Sequence, residues 1–228
     1  MGKIITVANQ KGGVGKTTSA ISIASCLAEK GKRVLLVDLD PQGNATSGVG
    51  ASVQAVSSYE LLLDETLFDR AVINTPHKNL SLITSDIKLA AAEIELVDVE
   101  KREFRLKTAL DKIKNFYDFI FIDCPPSLGL LTINALACAD SLLIPIQAEY
   151  YALEGVSALL STYERVRNSV NPELELEGVL ITMFDGRTNL ALQVAEQVKK
   201  HFKTKLFSSV IPRTVRLGEA PSHGLPIN

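Results

Sequence analysis

The run Lys11-Gly12-Gly13-Val14-Gly15-Lys16-Thr17-Thr18 constrains this chain more than any other feature. An apolar stretch, residues 4–8, precedes it and reads as a buried strand. A segment of small residues, 19–30, follows it and reads as a helix. A glycine-rich turn between strand and helix points several backbone N–H groups at one spot. The helix N-terminus adds a positive partial charge there, so the turn is built to cradle phosphates. Gly12, Gly13, Val14, Gly15 and Thr18 belong to that cradle. Lys16 is expected to reach the β- and γ-phosphates, and the Thr17 hydroxyl to take a place on Mg²⁺.

The departure from the ordinary phosphate-loop pattern is equally informative. The usual spacing puts a glycine at position 10, where this chain has Gln10, followed by a second lysine, Lys11. Lys16 already serves the bound phosphates. Two readings of Lys11 remain open at this point. It points toward a nucleotide held by a facing subunit, acting in trans as an arginine finger does, or it is a solvated surface lysine.

Strand-like apolar runs alternate with helical segments along the whole chain. Residues 34–37, 80–84, 118–123, 141–146, 178–184 and 206–211 continue the strand series. Residues 88–97, 100–115, 130–139, 152–170 and 190–202 read as helices. Apolar strands with crossover helices imply an α/β fold, a mostly parallel twisted sheet covered on both faces. Ligands of such sheets bind at the carboxyl ends of the strands. The glycine-rich run, Asp38 to Asp40, Asp123 and Thr182 to Asp185 are all expected at such ends. Residues 48–79 are the least regular stretch and are expected to form a mobile excursion. With no linker, repeat or low-complexity segment, 1–228 reads as one domain.

Composition narrows the function classes. No apolar run approaches the ~18 residues a membrane-spanning helix needs. The first strand begins almost at once, which leaves no room for a signal peptide. Cys26, Cys124 and Cys138 lack metal-ligand spacing and are expected as small core residues in a reducing cytosol. The net charge is −2. Between Arg187 and Arg216, however, Arg187, Lys199, Lys200, Lys203, Lys205, Arg213 and Arg216 face only Glu196. Such a basic stripe suits either a polyanion-binding face or a solvated helix.

Two acidic positions complete the chemistry. Asp38-Leu39-Asp40-Pro41-Gln42-Gly43-Asn44 makes a rigid acidic loop after the second strand. A carboxylate there can orient an attacking water or hold a metal-bound one. Asp123 ends an apolar strand, the form in which a single carboxylate is delivered toward Mg²⁺. The Cys124-Pro125-Pro126-Ser127 loop behind it is placed to sense a γ-phosphate.

Taken together, the deviant phosphate loop, the Asp38–Asn44 segment, Ile122-Asp123-Cys124-Pro125-Pro126-Ser127-Leu128-Gly129, the block from Glu149 to Gly155 and the block from Val210 to Ser222 resemble the ParA/Soj family of DNA-partition ATPases. The resemblance runs through the chain in order and includes the deviant Walker-A group to which MinD and the nitrogenase iron protein belong. It implies a P-loop ATPase that uses ATP and Mg²⁺ in the cytoplasm, at the nucleoid. Two subunits would sandwich two ATP molecules as a homodimer, and the dimer would bind double-stranded DNA without sequence preference. A ParB/Spo0J-type partner would stimulate slow hydrolysis and reset the monomer. Carried onto this sequence, Lys11 is the trans-acting lysine and Lys16 the Walker lysine. Gly12 lies where the facing subunit comes close, and Thr17 is the Mg²⁺ ligand. Asp40 orients the attacking water, and Asp123 is the Walker-B carboxylate. Pro212 and Arg213 fall near the adenine, and Arg187 and Arg216 match DNA-binding positions. The family runs on by roughly two dozen residues after the equivalent of Ile227, so the final helix is expected to be missing from 1–228. The alternatives are a MinD-type membrane ATPase, an iron–sulfur ATPase, for which no cysteine is suitably placed, and a small-molecule kinase or ligase.

Overall fold

The computed structural model describes residues 2–149 and 152–227. Its strands are β1 (Lys3–Val7), β2 (Val34–Asp38), β3 (Val72–Asn74), β4 (Leu80–Ile83), β5 (Phe119–Asp123), β6 (Ser141–Gln147), β7 (Glu175–Phe184) and β8 (Leu206–Pro212). They form one sheet in the order β3-β4-β2-β5-β1-β6-β7-β8. Every pair is parallel except β3 with β4. The helices are α1 (Lys16–Glu29), α2 (Asn44–Gly48), α3 (Ser58–Leu63), α4 (Phe68–Ala71), α5 (Leu89–Glu95), α6 (Arg105–Asp111), α7 (Leu130–Cys138), α8 (Ala152–Ser169), α9 (Asn189–Phe202) and α10 (Val215–Glu219). Among the described residues no helix is long and apolar enough to cross a membrane.

The two faces follow from the two-residue period of a strand. In β2, Leu35 and Val37 join one core while Val34 and Leu36 join the other. In β5, Ile120 and Ile122 face the first core and Phe121 the second. The larger core lies under α3 and α5 to α9, and the smaller under α1 and α2. Helix α8 supplies Val156, Leu159, Tyr163 and Val166 to the larger core, spaced as one face of a helix requires. On the α1 side, an apolar groove lined by Ile5, Leu27, Phe121, Leu143, Leu180 and Phe207 runs across β5 to β8.

Register positions the site. Val7 of β1 and Asp38 of β2 both pair with Asp123 of β5. The carboxyl ends of three adjacent strands are therefore level, and the loops that leave them share one edge.

Four features differ from the sequence reading. Helix α1 starts at Lys16, three residues earlier than expected, because Gly15 takes φ 86° and turns the chain straight into the helix. Residues 48–79 are largely ordered. A capping box starts α3, in which Ser57 N–H donates to Glu60 Oε2 at 2.8 Å and Tyr59 N–H to Ser57 Oγ at 3.2 Å. Leu61 and Leu62 of that helix are fully buried, and β3 adds an antiparallel edge strand. The helix expected over 100–115 is broken into α6 and flanking single turns. Cys26 is exposed rather than in the core, whereas Cys124 and Cys138 are buried. The 149–155 block lies partly outside the described residues.

Gly43 marks a local constraint. It sits at φ 64° and a Cβ there would stand 2.9 Å from the Ser85 carbonyl oxygen. Gly43→Ala should destabilise the protein by about 1–3 kcal/mol, from left-handed strain and that clash. A urea midpoint unchanged from wild type, at equal slope, would contradict it.

Candidate functional site

The glycine-rich loop leaves β1 and enters α1 through two left-handed glycines, Gly13 at φ 74° and Gly15 at φ 86°. Gly15 is the N-cap and offers no side-chain acceptor, so the first-turn amides of Lys16, Thr17 and Thr18 are not capped by that residue. The loop is held from outside. Asn9 Nδ2 donates to the Pro145 carbonyl at 2.7 Å, and Lys11 N–H donates to Asn9 Oδ1 at 3.0 Å. Thr182 Oγ1 donates to the Val14 carbonyl at 2.8 Å, tying β7 to the loop. These bonds pre-form a nest of N–H groups suited to an anion.

Lys16 is 7% exposed and reaches back to donate to the Lys11 carbonyl at 3.2 Å. Burial pulls its ammonium below the usual lysine range, and the nearby Asp123 and Asp40 carboxylates oppose that pull. An ammonium anchored only by a carbonyl is ready to turn to phosphate oxygens.

The acidic groups converge on it. Asp123 is fully buried, and neither carboxylate oxygen has a hydrogen bond of normal geometry. Burial raises its pKa well above the carboxylate range, and neighbouring Asp38 adds to the rise. The Thr17 hydroxyl and Lys16 offset only part of it. Asp38 is also pushed up, to about 6, by burial. Its hydrogen bonds oppose the shift: Thr46 N–H and Thr46 Oγ1 each donate to Oδ2 at 2.7 Å, and Asp40 N–H donates to Oδ1 at 3.2 Å. An orphaned, desolvated carboxylate beside a threonine hydroxyl fits a divalent cation. No cluster of three or more His, Cys, Asp or Glu ligands exists among the described residues. A cation held there would draw its other ligands from phosphate oxygens and water, as Mg²⁺ commonly does.

Asp40 is buried and braced on several sides. Its Oδ1 accepts from Gln42 N–H at 3.0 Å, and its carbonyl accepts from Ser85 Oγ at 2.8 Å and Gly43 N–H at 2.9 Å. Ser85 N–H donates to Thr46 Oγ1 at 3.0 Å, which links the end of β4 to Asp38. Thr46 and Ser85 were not among the residues singled out in the sequence. Both are ordinary in pattern: the adjacency of β4 to β2 brings Ser85 to the acidic loop, and α2 turns Thr46 back onto Asp38.

Beside the phosphate loop a cavity of about 250 Å³ is lined by Gly15, Thr18, Met183, Pro212, Arg213 and Leu217. Pro212 and Arg213, expected near a base, thus border a cleft contiguous with the loop. Arg213 N–H donates to the Phe184 carbonyl at 3.1 Å, joining the strand ends that frame it. Gly12 is exposed on the other side, where an added Cβ meets nothing within 4 Å. Lys11 does not project freely: its Nζ pairs with Glu149 Oε2 at 2.7 Å.

The basic run does not form one face. Helix α9 returns from the carboxyl end of β7 to the start of β8, which carries Lys199, Lys200, Lys203 and Lys205 about 20 Å from the site edge. Arg187, Arg213 and Arg216 remain near that edge. Arg187 is held by Asp185 through two bonds, Nε to Oδ1 at 2.8 Å and Nη2 to Oδ2 at 2.7 Å. Arg216 is exposed in α10.

Known proteins match this architecture. A family described as an AAA domain matches residues 2–176. The sporulation initiation inhibitor protein Soj of Bacillus subtilis is 58% identical over 229 residues, covering 100% of this chain and 90% of its own. The chromosome partitioning protein ParA of Myxococcus xanthus is 52% identical, covering 100% of this chain and 81% of its own. A solved Mycobacterium smegmatis structure, described as cobyrinic acid a,c-diamide synthase with bound ADP and magnesium, superposes with a TM-score of 0.88 at 39% identity. That match covers 98% of this chain and 93% of the other. A level edge of phosphate loop and carboxylates, on a sheet shared with these proteins, identifies a P-loop ATPase, and the chain belongs to the ParA/Soj family of chromosome-partitioning ATPases.

Proposed function

We propose that this chain is the nucleotide switch of a DNA-partition system, working as one ATPase domain that pairs when ATP is bound. The observation that carries the reading is Asp123, a buried carboxylate without a partner, facing Lys16 and Thr17 at the mouth of the phosphate loop. In this reading the loop amides and Lys16 bind the phosphates, with the base in the cleft bordered by Pro212 and Arg213. Thr17 and Asp123 would hold Mg²⁺, which would neutralise phosphate charge. Asp40 orients the water that attacks the γ-phosphorus. Its two carbonyl bonds and the Asp38 contact keep that carboxylate in position before substrate arrives. The γ-phosphorus-to-bridging-oxygen bond breaks, and ADP and phosphate leave.

The same reading makes the dimer a sandwich. The open side of Gly12 supports a close approach by a second subunit, and Lys11 is the group that crosses to the partner's nucleotide. Arg216 and Arg187 are the DNA contacts, one set from each subunit. A ParB/Spo0J-type protein stimulates turnover and returns the dimer to monomers.

Lys16→Ala should abolish binding of a fluorescent ATP analogue, since among the described residues no other lysine or arginine is buried. Lys11→Ala and Gly12→Val should instead bind ATP and stay monomeric by light scattering. A Cβ added at Gly12 meets nothing within 4 Å in the single subunit, so the obstruction expected is to the facing subunit. Dimers of either variant in ATP would refute the sandwich.

Asp123→Asn separates stability from function. The folded pKa values of Asp38 and Asp123 lie above their unfolded values near 3.9, so the folded state binds more protons. Their contribution is fully present below about pH 4 and is lost as pH rises through about 6 and beyond. The nucleotide-free Asn variant should therefore melt higher than wild type at pH 7 and less so at pH 4.5. Its Mg-ATP turnover should fall by about 100-fold or more, and Mg-ATP should raise its melting temperature less. A variant less stable than wild type at pH 7 would show that Asp123 is not strained by burial.

DNA binding should need ATP, ignore sequence and weaken with salt, at a slope of about −0.9 per phosphate contact. Arg216→Ala should flatten that slope by up to about two per dimer, one contact from each subunit. Arg187→Ala should do less, because Asp185 already neutralises it. Undiminished DNA affinity in a dimerising Arg216→Ala protein would remove that residue from the interface.

A further inference from the structure

Lys11 and Glu149 form an ion pair that nothing in the catalytic reading uses. Lys11 Nζ donates to Glu149 Oε2 at 2.7 Å, across the gap between the phosphate loop and the segment after β6. Both partners are held. Gln147 Nε2 donates to the other carboxylate oxygen, Oε1. Glu149 N–H donates to the Gln147 carbonyl at 2.8 Å, and the Glu149 carbonyl accepts from Ala152 N–H at 2.9 Å. The carboxylate is thus pinned between the end of β6 and the start of α8. On the other side, the Lys11 backbone is fixed by Asn9, and Asn9 itself is tied to Pro145 of β6. The side chain of Lys11 therefore bridges two segments that are already registered to each other, so the pair forms at small entropic cost.

The pair opposes the task assigned to Lys11. A lysine bound to its own subunit's carboxylate cannot meanwhile contact a phosphate in a facing subunit. Its carbonyl is meanwhile the acceptor of Lys16 Nζ, so both loop lysines are in a resting arrangement that nucleotide and partner must undo. We propose that Glu149 is a positioning residue that holds Lys11 in cis in the free subunit and sets the threshold for ATP-driven pairing. This rests on the trans role given to Lys11 above.

The size of the effect follows from exposure. The two side chains are 34% and 48% exposed, so the pair is a partly screened surface bridge. Such bridges change an equilibrium by up to about fivefold. Two latches open per dimer, so removing both should tighten the dimer by roughly 2- to 30-fold. The gain should shrink as salt rises, because both charges are partly exposed and counterions compete for each.

The test uses the full chain with Mg²⁺ and a non-hydrolysable ATP analogue. Dimer dissociation constants of wild type, Glu149→Gln, Glu149→Ala and Lys11→Ala are measured by sedimentation at low and high salt. In parallel, Lys11 acetylation by an N-hydroxysuccinimide ester is followed by peptide mass spectrometry on nucleotide-free monomers. Both Glu149 variants should pair more tightly at low salt, and Lys11 should label several-fold faster while distant lysines label as in wild type. Unchanged or weaker pairing of Glu149→Gln and Glu149→Ala, or unchanged Lys11 labelling, would overturn the latch. Wild-type pairing of Lys11→Ala would instead overturn the trans role on which it rests. Loss of pairing in that variant, together with null results for Glu149, would reject the latch alone.

Discussion

Two carboxylates buried side by side govern this structure. Asp38 and Asp123 end adjacent parallel strands in direct register, and each is pushed toward its neutral form. Like charges in a desolvated setting repel, and Lys16, the cation beside them, is itself weakened by burial. The fold tolerates this because the surrounding sheet over-determines the positions. Leu39 N–H donates to the Asp123 carbonyl at 2.9 Å, and Cys124 N–H donates to the Val7 carbonyl at 3.2 Å. Backbone ladders thus bind β1, β5 and β2 past the point where their carboxylates begin. A site made this way carries a local electrostatic cost that the rest of the fold must offset.

The two loop lysines differ in where their side chains lie. Lys16 opens α1 and turns inward over the loop, where it is buried. Lys11 leaves the loop before the left-handed turn at Gly13 and projects toward α8. Asn9, tied to the Pro145 carbonyl, fixes the Lys11 backbone at that point. The left-handed turns at Gly13 and Gly15 separate the two lysines along the loop.

Much of this was legible in the sequence because it is encoded locally. The glycine spacing, the apolar strands and the acidic residues that end them each follow from short-range pattern, and the structure brings those residues to one edge. What escaped is long-range or compensatory. Helix α1 was read as starting at Ser19, since glycine and lysine carry no apolar period, yet the φ of Gly15 starts it at Lys16. Residues 48–79 looked irregular because α3 is only six residues long and its order comes from the Ser57–Glu60 box and burial of Leu61 and Leu62. Ser85 braces the acidic loop from 45 positions away, so no local signal marks it, and Thr46 reaches Asp38 from the next short helix without a motif of its own. The Glu149 contact with Lys11 spans 138 positions and is equally invisible.

The basic run shows how linear charge can mislead. Seven cations lie between Arg187 and Arg216, but α9 runs antiparallel to the strands and is 14 residues long. At 1.5 Å per residue it carries its lysine-rich end about 20 Å away from the site edge. The cations left beside the nucleotide cleft are Arg187, Arg213 and Arg216, and Asp185 holds the first in a bidentate bridge. A single subunit therefore offers a polyanion only a thin line of charge at this edge. Because phosphate contacts multiply as counterions are released, joining two such edges on one rigid body raises affinity steeply. The thinness of that line fits the proposed reading, in which pairing of two subunits rather than net charge decides when a polyanion is bound.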